Sequence, residues 1–133
     1  MNESMTSDDA RSVLAAFEQW LANVSKGDPE VVAAMYAEDA VFFGTVSPYI
    51  RTNPEQVKHY FDIFKSQLPN LHAFYAEPKI RIYGDVALNT GYYTFFHERD
   101  GKMQSVPARY TFAYKKVNGE WKIIEHHSSA MPA

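Results

Sequence analysis

Apolar residues recur at helical spacing from Val13 through Leu14, Phe17, Trp20 and Leu21 to Val24, so the chain opens on an amphipathic helix running through Ser25. Ser7 or Thr6 supplies a side-chain oxygen for its first turn, and Asp8 and Asp9 suit the positive end of its dipole. Lys26-Gly27-Asp28-Pro29 ends it. Glycine suits a left-handed C-terminal position, aspartate caps a following helix and proline takes that helix's first position. The second helix is short and carries Val31, Val32, Met35 and Tyr36. Ala40 to Phe43 reads as a brief strand, and 44–53 as a loop holding Pro48, Tyr49 and Arg51. Asn53 caps a third helix, with Pro54 at its first position and a buried stripe of Val57, Tyr60, Phe61, Phe64 and Leu68.

From His72 onward the spacing turns to alternation over about 72–83, 86–98, 104–116 and 121–129. Gly84-Asp85, Asp100-Gly101 and Asn118-Gly119 supply the turns between them. Three helices followed by a long antiparallel meander predict an α+β fold of two layers, helices on one face of the sheet. The last segment, WKIIEHHSSAMP, begins as a strand packed on both faces and then turns polar at Glu125, His126, His127, Ser128 and Ser129. Neighbouring strand residues point to opposite faces, so one histidine enters the interior and the other leaves it.

The Asn118-Gly119 turn decides which. A two-residue turn pairs Val117 with Glu120 and groups Tyr110 and Phe112 with Glu125 and His127. A three-residue turn with a glycine bulge pairs Lys116 with Glu120 and groups them with Ile124, His126 and Ser128 instead. A slip of one residue exchanges every side chain.

Composition narrows the function classes. A length of 133 residues suits one domain, and 46% hydrophobic with 22% charged residues is globular. The 9 tyrosines, 9 phenylalanines and 2 tryptophans fit a compact core or the lining of a large apolar cavity. A net charge of −3 sets up no basic field for nucleic acid or an anionic membrane. Without cysteine there are no disulfides, thiol nucleophiles or thiolate metal sites, which suits a cytoplasmic protein. The polar, acidic start is not a signal peptide, residues 1–6 are expected to be disordered, and no apolar run approaches the ~20 residues of a membrane span.

Candidate chemistry is sparse. His126 and His127, adjacent on a strand, cannot ligate one metal from a common face, and no further metal or cofactor motif is present. Glu18 with His126 or His59 is the one plausible acid–base set, with Asp39 a further candidate base.

The element order resembles the nuclear transport factor 2-like (cone-shaped α+β barrel, SnoaL-like) superfamily. The segments that carry it are Lys26-Gly27-Asp28, Asn118-Gly119-Glu120-Trp121 and His127-Ser128-Ser129-Ala130-Met131-Pro132. Within that superfamily the chain is similar to bacterial relatives of the calcium/calmodulin-dependent protein kinase II association domain, from about Val13 to Pro132. The resemblance implies a strongly bent, mainly antiparallel sheet, a deep pocket between sheet and helices, homodimers joined through the sheet and, in the kinase hub, rings of dimers. The chain carries no kinase segment, so a hub role here would lack that cargo. Arginines that line the hub pocket correspond to Tyr92, Phe112 and Ser128, whereas Glu18 matches a hub glutamate.

The implied pocket is therefore aromatic. Its expected ligand-binding residues are His59, Tyr92, Tyr110, Phe112, Tyr114 and Ser128, with Glu18 and His126 as the catalytic pair. Because the positions of Phe112 and Ser128 share a pocket in the hub, the bulged turn is the register adopted. It turns Arg109, Thr111, Trp121, Ile123 and His127 outward as a dimer face. Two readings follow. One is a homodimer that binds an unknown small hydrophobic molecule, with isomerase, dehydratase or cyclase activity on a carbonyl compound. The other is a non-catalytic association module. An open interior favours the first, and an interior filled with tyrosine and phenylalanine rings favours the second.

Overall fold

The computed structural model describes residues 7–133, so Thr6 and the expected disorder of 1–6 lie outside the described residues. Three helices, α1 (Asp8–Lys26), α2 (Pro29–Ala33) and α3 (Pro54–Gln67), form one layer. Their ends follow local chemistry. Ser7 Oγ accepts from the Ala10 amide at 3.0 Å, and Gly27 closes α1 at φ 74°. Asp28 accepts from the Val31 amide at 3.3 Å, and Asn53 from the Gln56 amide at 2.9 Å, each followed by proline at the first helical position.

The other layer is one six-stranded sheet of β1 (Tyr36–Phe43), β2 (Ile50–Arg51), β3 (His72–Tyr83), β4 (Val86–Arg99), β5 (Lys102–Val117) and β6 (Glu120–Ala130). Its order is β2-β1-β6-β5-β4-β3, with β1 parallel to β6 and every other neighbour antiparallel. α1 buries Val13, Phe17, Trp20, Leu21 and Val24, and α3 buries Val57, Tyr60, Phe61 and Phe64, against the inner face of this sheet.

Two elements differ from the sequence reading. The second helix stops at Ala33, and Tyr36, read as helical, opens an eight-residue strand instead of one confined to 40–43. The cause is tertiary: the Ile123 amide donates to Met35 O at 3.0 Å, and the Tyr36 side chain is buried between sheet and helices. The 44–53 loop also holds the short strand β2, which pairs Arg51 with Phe42 and Ile50 with Phe43.

The register of β6 corrects the expected turn. Asn118 (φ 52°) and Gly119 (φ 81°) both lie in the left-handed region, as a two-residue hairpin turn requires, and Val117 pairs with Glu120. The bulge lies further along. Ala113 pairs with Glu125 but Tyr114 pairs with Ile123, which leaves Ile124 as the extra residue. Trp121 and Ile123 therefore point inward before the bulge, and His126 and Ser128 point inward after it. The expected grouping of His126 and Ser128 with Tyr110 and Phe112 is thus present, but Ile124 is not part of it. Trp121 (9% exposed) and Ile123 (1% exposed) belong to the core and not to an outward dimer face.

Close approach also constrains the chain. A Cβ at Gly44 would lie 2.1 Å from the Tyr60 ring, so the backbone leaving β1 passes that ring only as glycine. On edge strand β3 the pairing with β4 shifts between Ala76 and Lys79, where Glu77 adopts φ 55° and Pro78 follows.

The bulge position is testable by alanine substitution on its two sides. Ile123→Ala is expected to cost about 2–5 kcal/mol, and Ile124→Ala, at a half-buried position, well under that. Urea denaturation at unchanged m-value measures both. The reverse order would move the bulge back to the turn.

Candidate functional site

The most elaborate side-chain arrangement in the molecule centres on His126. It lies on β6, 1% exposed, with its ring between Phe112 of β5 and Phe42 of β1. The centroids are 3.8 Å and 4.6 Å away, and the planes are within 16° and 14° of parallel. Trp20 of α1 meets the imidazole edge-on at 5.4 Å.

Both ring nitrogens are engaged. Tyr36 Oη lies 2.8 Å from Nδ1, and Tyr93 Oη lies 3.0 Å from Nε2. The indole N–H of Trp20 donates to Tyr36 Oη at 3.1 Å. That hydroxyl, already accepting from the indole, directs its own proton to Nδ1, so Nε2 carries the imidazole hydrogen and donates to Tyr93. Burial, and to a smaller extent the neighbouring His127, hold the His126 pKa well below its ordinary value, so the ring is neutral. Burial likewise raises the hydroxyls of Tyr36, Tyr93 and Tyr114 far above the ordinary tyrosine range and pushes Tyr60 up to about 12. All of these groups act as neutral hydrogen-bonding partners.

The space beside this network is nearly closed. A cavity of about 10 Å³ remains, bordered by Thr45, Tyr60, Tyr93, His126 and Ser128 among phenylalanine rings. That volume is about one water molecule. Thr45 and Ser128 hydroxyls bond to each other across its rim. Instead of a deep aromatic pocket, the aromatic side chains of α1, α3 and the sheet occupy the interior.

The sequence-derived candidates separate into two groups. Tyr110, Phe112, Tyr114, His126 and Ser128 share the inner face of the sheet. Glu18, on the exposed side of α1, accepts a hydrogen bond from Tyr75 Oη at 2.8 Å and does not meet His126. His59 is exposed on α3, where its Nδ1 lies 3.1 Å from Arg51 Nη1. Tyr92 is 42% exposed on the opposite face of the sheet, and Asp39 is exposed on β1. Trp20, Tyr36 and Tyr93 complete the His126 cluster and were not among the candidates. Tyr93 was findable: the Asp100-Gly101 turn pairs Arg99 with Lys102 and, counted back, Tyr93 with Ala108, on the face of Tyr110.

Openings larger than the interior cavity lie at the surface, and one of them is on the outer face of the sheet, away from the helices. A groove of about 620 Å³ runs across β3 to β6, and its border includes Lys79, Tyr92, Arg109, Thr111, Glu125 and His127. Among the described residues no group of three or more His, Cys, Asp or Glu side chains could hold a metal ion. No helix among them is long and apolar enough to cross a membrane.

Residues 9–132 match the family model for the calcium/calmodulin dependent protein kinase II association domain. A Xanthomonas campestris structure assigned to that domain is 39% identical, with a TM-score of 0.87, over 98% of this chain and 94% of its own. A nuclear transport factor 2-like protein with a cystatin-like fold from Novosphingobium aromaticivorans shares 12% identity at a TM-score of 0.82, over 98% of this chain and 94% of its own. A Streptomyces avermitilis member of the nuclear transport factor 2-like family, assigned as a dehydratase, shares 15% at 0.82, over 94% and 97%. The last two likenesses are of fold alone. Among curated proteins none matches.

The buried imidazole makes stability depend on pH. Its folded pKa lies below the unfolded value of about 6.5, so under that pH the unfolded chain binds a proton that the folded chain does not. Stability is therefore complete above pH ~7.5 and falls between about 6.5 and 5 by up to ~1.4 kcal/mol per pH unit. His126→Gln is expected to be less stable throughout and to lack this slope. Urea denaturation at a series of pH values measures both.

Proposed function

Because the chain belongs to the calcium/calmodulin dependent protein kinase II association domain family, we propose that it is a self-association module in which copies pack through the outer face of the sheet. The observation that carries this reading is the contrast between the two faces. Inside, rings from helices and sheet leave about 10 Å³, too little for any substrate larger than water. Outside, the sheet presents Tyr92 at 42%, Phe43 at 37% and Phe74 at 61% exposure, interleaved with Lys79, Arg109, Glu125 and His127 around a groove of about 620 Å³.

Physical chemistry gives that face a role. Exposed aromatic and aliphatic side chains on one side of a sheet, mixed with charges of both signs, have the composition of a non-obligate interface. Homotypic contacts close most simply as two-fold dimers, since one patch then serves both subunits. The alternative, an isomerase, dehydratase or cyclase acting on a hydrophobic carbonyl compound, needs the interior to open around His126. It also needs a second group there, since Glu18 lies outside on α1.

Sedimentation equilibrium at micromolar concentration should give a species of at least twice the 15.2 kDa chain mass. Tyr92→Glu, which puts a charge on the outer face without touching the core, should shift it to the single chain. A wild-type protein that sediments as one chain overturns the proposal.

A further inference from the structure

The pairing register collects hydrogen-bond donors on the outer face of the sheet. Lys79 of β3, Thr90 of β4, Thr111 of β5 and His127 of β6 are successive cross-strand partners and form one line across the groove. Arg109 stands two residues from Thr111 along β5, beside Tyr92 of β4 and Ser129 of β6. Arg81, two residues beyond Lys79 on β3, turns to Thr90: its Nη2 donates to Thr90 Oγ1 at 2.6 Å, and its Nε is buried without a partner. Thr90 Oγ1 thus accepts from a cation and keeps its own proton for another acceptor.

These charges are not matched within the chain. Among the described residues the ion pairs are Arg11–Asp8, Lys58–Asp62 and Lys116–Asp9, and none involves Lys79, Arg81 or Arg109. The hydroxyls of Thr111 and Ser129 likewise have no partner among the described residues. Two carboxylates border the groove, Glu77 at the β3 bulge and Glu125 two residues before His127 on β6. Neither is a strand partner of Thr90 or Thr111, so the middle of the line is left to three cations and the hydroxyls between them.

The geometry points to a binding site for a small aromatic phosphate monoester, its phosphate over Thr90 and Thr111 and its ring on Tyr92. Strands lie about 4.8 Å apart and two residues of strand span about 6.7 Å, so Lys79 and Arg109 flank that point from two sides, within reach of long side chains. A carboxylate brings one charge and two oxygens. A phosphate monoester brings nearly two charges and three free oxygens, which suits three cations and several hydroxyl donors better. A guanidinium fork also matches phosphate oxygens in pairs. The phosphate alone leaves most of the groove of about 620 Å³ open, a volume in the range of small-molecule sites. Tyr92, 42% exposed beside Arg109, offers its ring to an aromatic group. The site shares a face with the association proposed above but does not rest on it. Where copies cover that face, a bound dianion supplies the counter-charge that the buried cations otherwise lack.

Isothermal titration in a phosphate-free buffer tests the site, with phenyl phosphate as the probe. Saturable binding is expected, tighter by about 10-fold or more than that of inorganic phosphate, benzoate or phenol. Arg109→Gln and Lys79→Gln should each weaken it by about 10-fold or more, through loss of a charge-assisted hydrogen bond. Lys115→Gln, on the same face of β5 but outside the groove, should leave it unchanged. Circular dichroism checks that each variant is folded, and amide chemical shifts should move at Thr90 and Thr111 when the probe binds. No saturable binding, equal affinity for inorganic phosphate or benzoate, or an equal loss from Lys115→Gln overturns the site. Sedimentation of the same samples separates the two readings. A single chain that binds phenyl phosphate removes the association reading alone, and an assembly that binds none removes this site alone.

Discussion

The constraint on which the arrangement depends is the single extra residue in β6. A strand alternates its side chains without exception, so Trp121 and Ile123 could not face the helices together with His126 and Ser128 unless one residue were left out of the count. Ile124 is that residue. Before it, the strand contributes bulky apolar groups to the base of the core. After it, the same strand contributes an imidazole and a hydroxyl, and sends Glu125 and His127 outward. Without the bulge, either the first half or the second half of the strand would present its polar set to the core.

What the bulge delivers inward is a polar group with nearly complete satisfaction. A buried imidazole is costly unless both nitrogens are bonded, and here each meets a tyrosine hydroxyl from a different strand. One of those hydroxyls is in turn held by the indole of Trp20 on α1. The chain of bonds joins β1, β4, β6 and α1, elements far apart in sequence, and flanking phenylalanine rings keep it dry. Such a network defines which packing of the aromatic side chains is the native one, a specificity that rings alone, being interchangeable in shape, supply poorly.

Much of this was legible in the chain and some was not. Helix ends could be read because Ser7, Gly27, Asp28-Pro29 and Asn53-Pro54 act on their own neighbours, and local chemistry is visible in a local window. The positions of the hairpin turns could be read for the same reason. Tyr36 could not, because its strand conformation is imposed by β6, which follows it by more than eighty residues. The bulge lies at Ile124 and not at the Asn118-Gly119 turn, and nothing in Trp121-Lys122-Ile123-Ile124-Glu125 marks which of two adjacent isoleucines is skipped. A bulge at the turn would carry Trp121 and Ile123 to the outer face and leave His126 and Ser128 inside. Glu18 was paired with His126 by analogy of position on the first helix. Position along a helix does not set the side that faces the sheet; Phe17 and Trp20 do that here, and they turn Glu18 away.

Edge strand β3 bears on the kind of particle that can form. Its outer edge offers unpaired backbone groups over twelve residues, the sort of template on which further strands add without limit. Midway along, Glu77 in a left-handed conformation breaks the extended line and Pro78 contributes no amide hydrogen. An incoming strand therefore finds two short, misaligned runs in place of one long one. Growth by strand addition leads to fibrils, whereas contact between sheet faces is used up as soon as it is made. The kink in β3 thus favours particles of fixed size over polymers, and keeps a tyrosine- and phenylalanine-rich protein from templating its own precipitation.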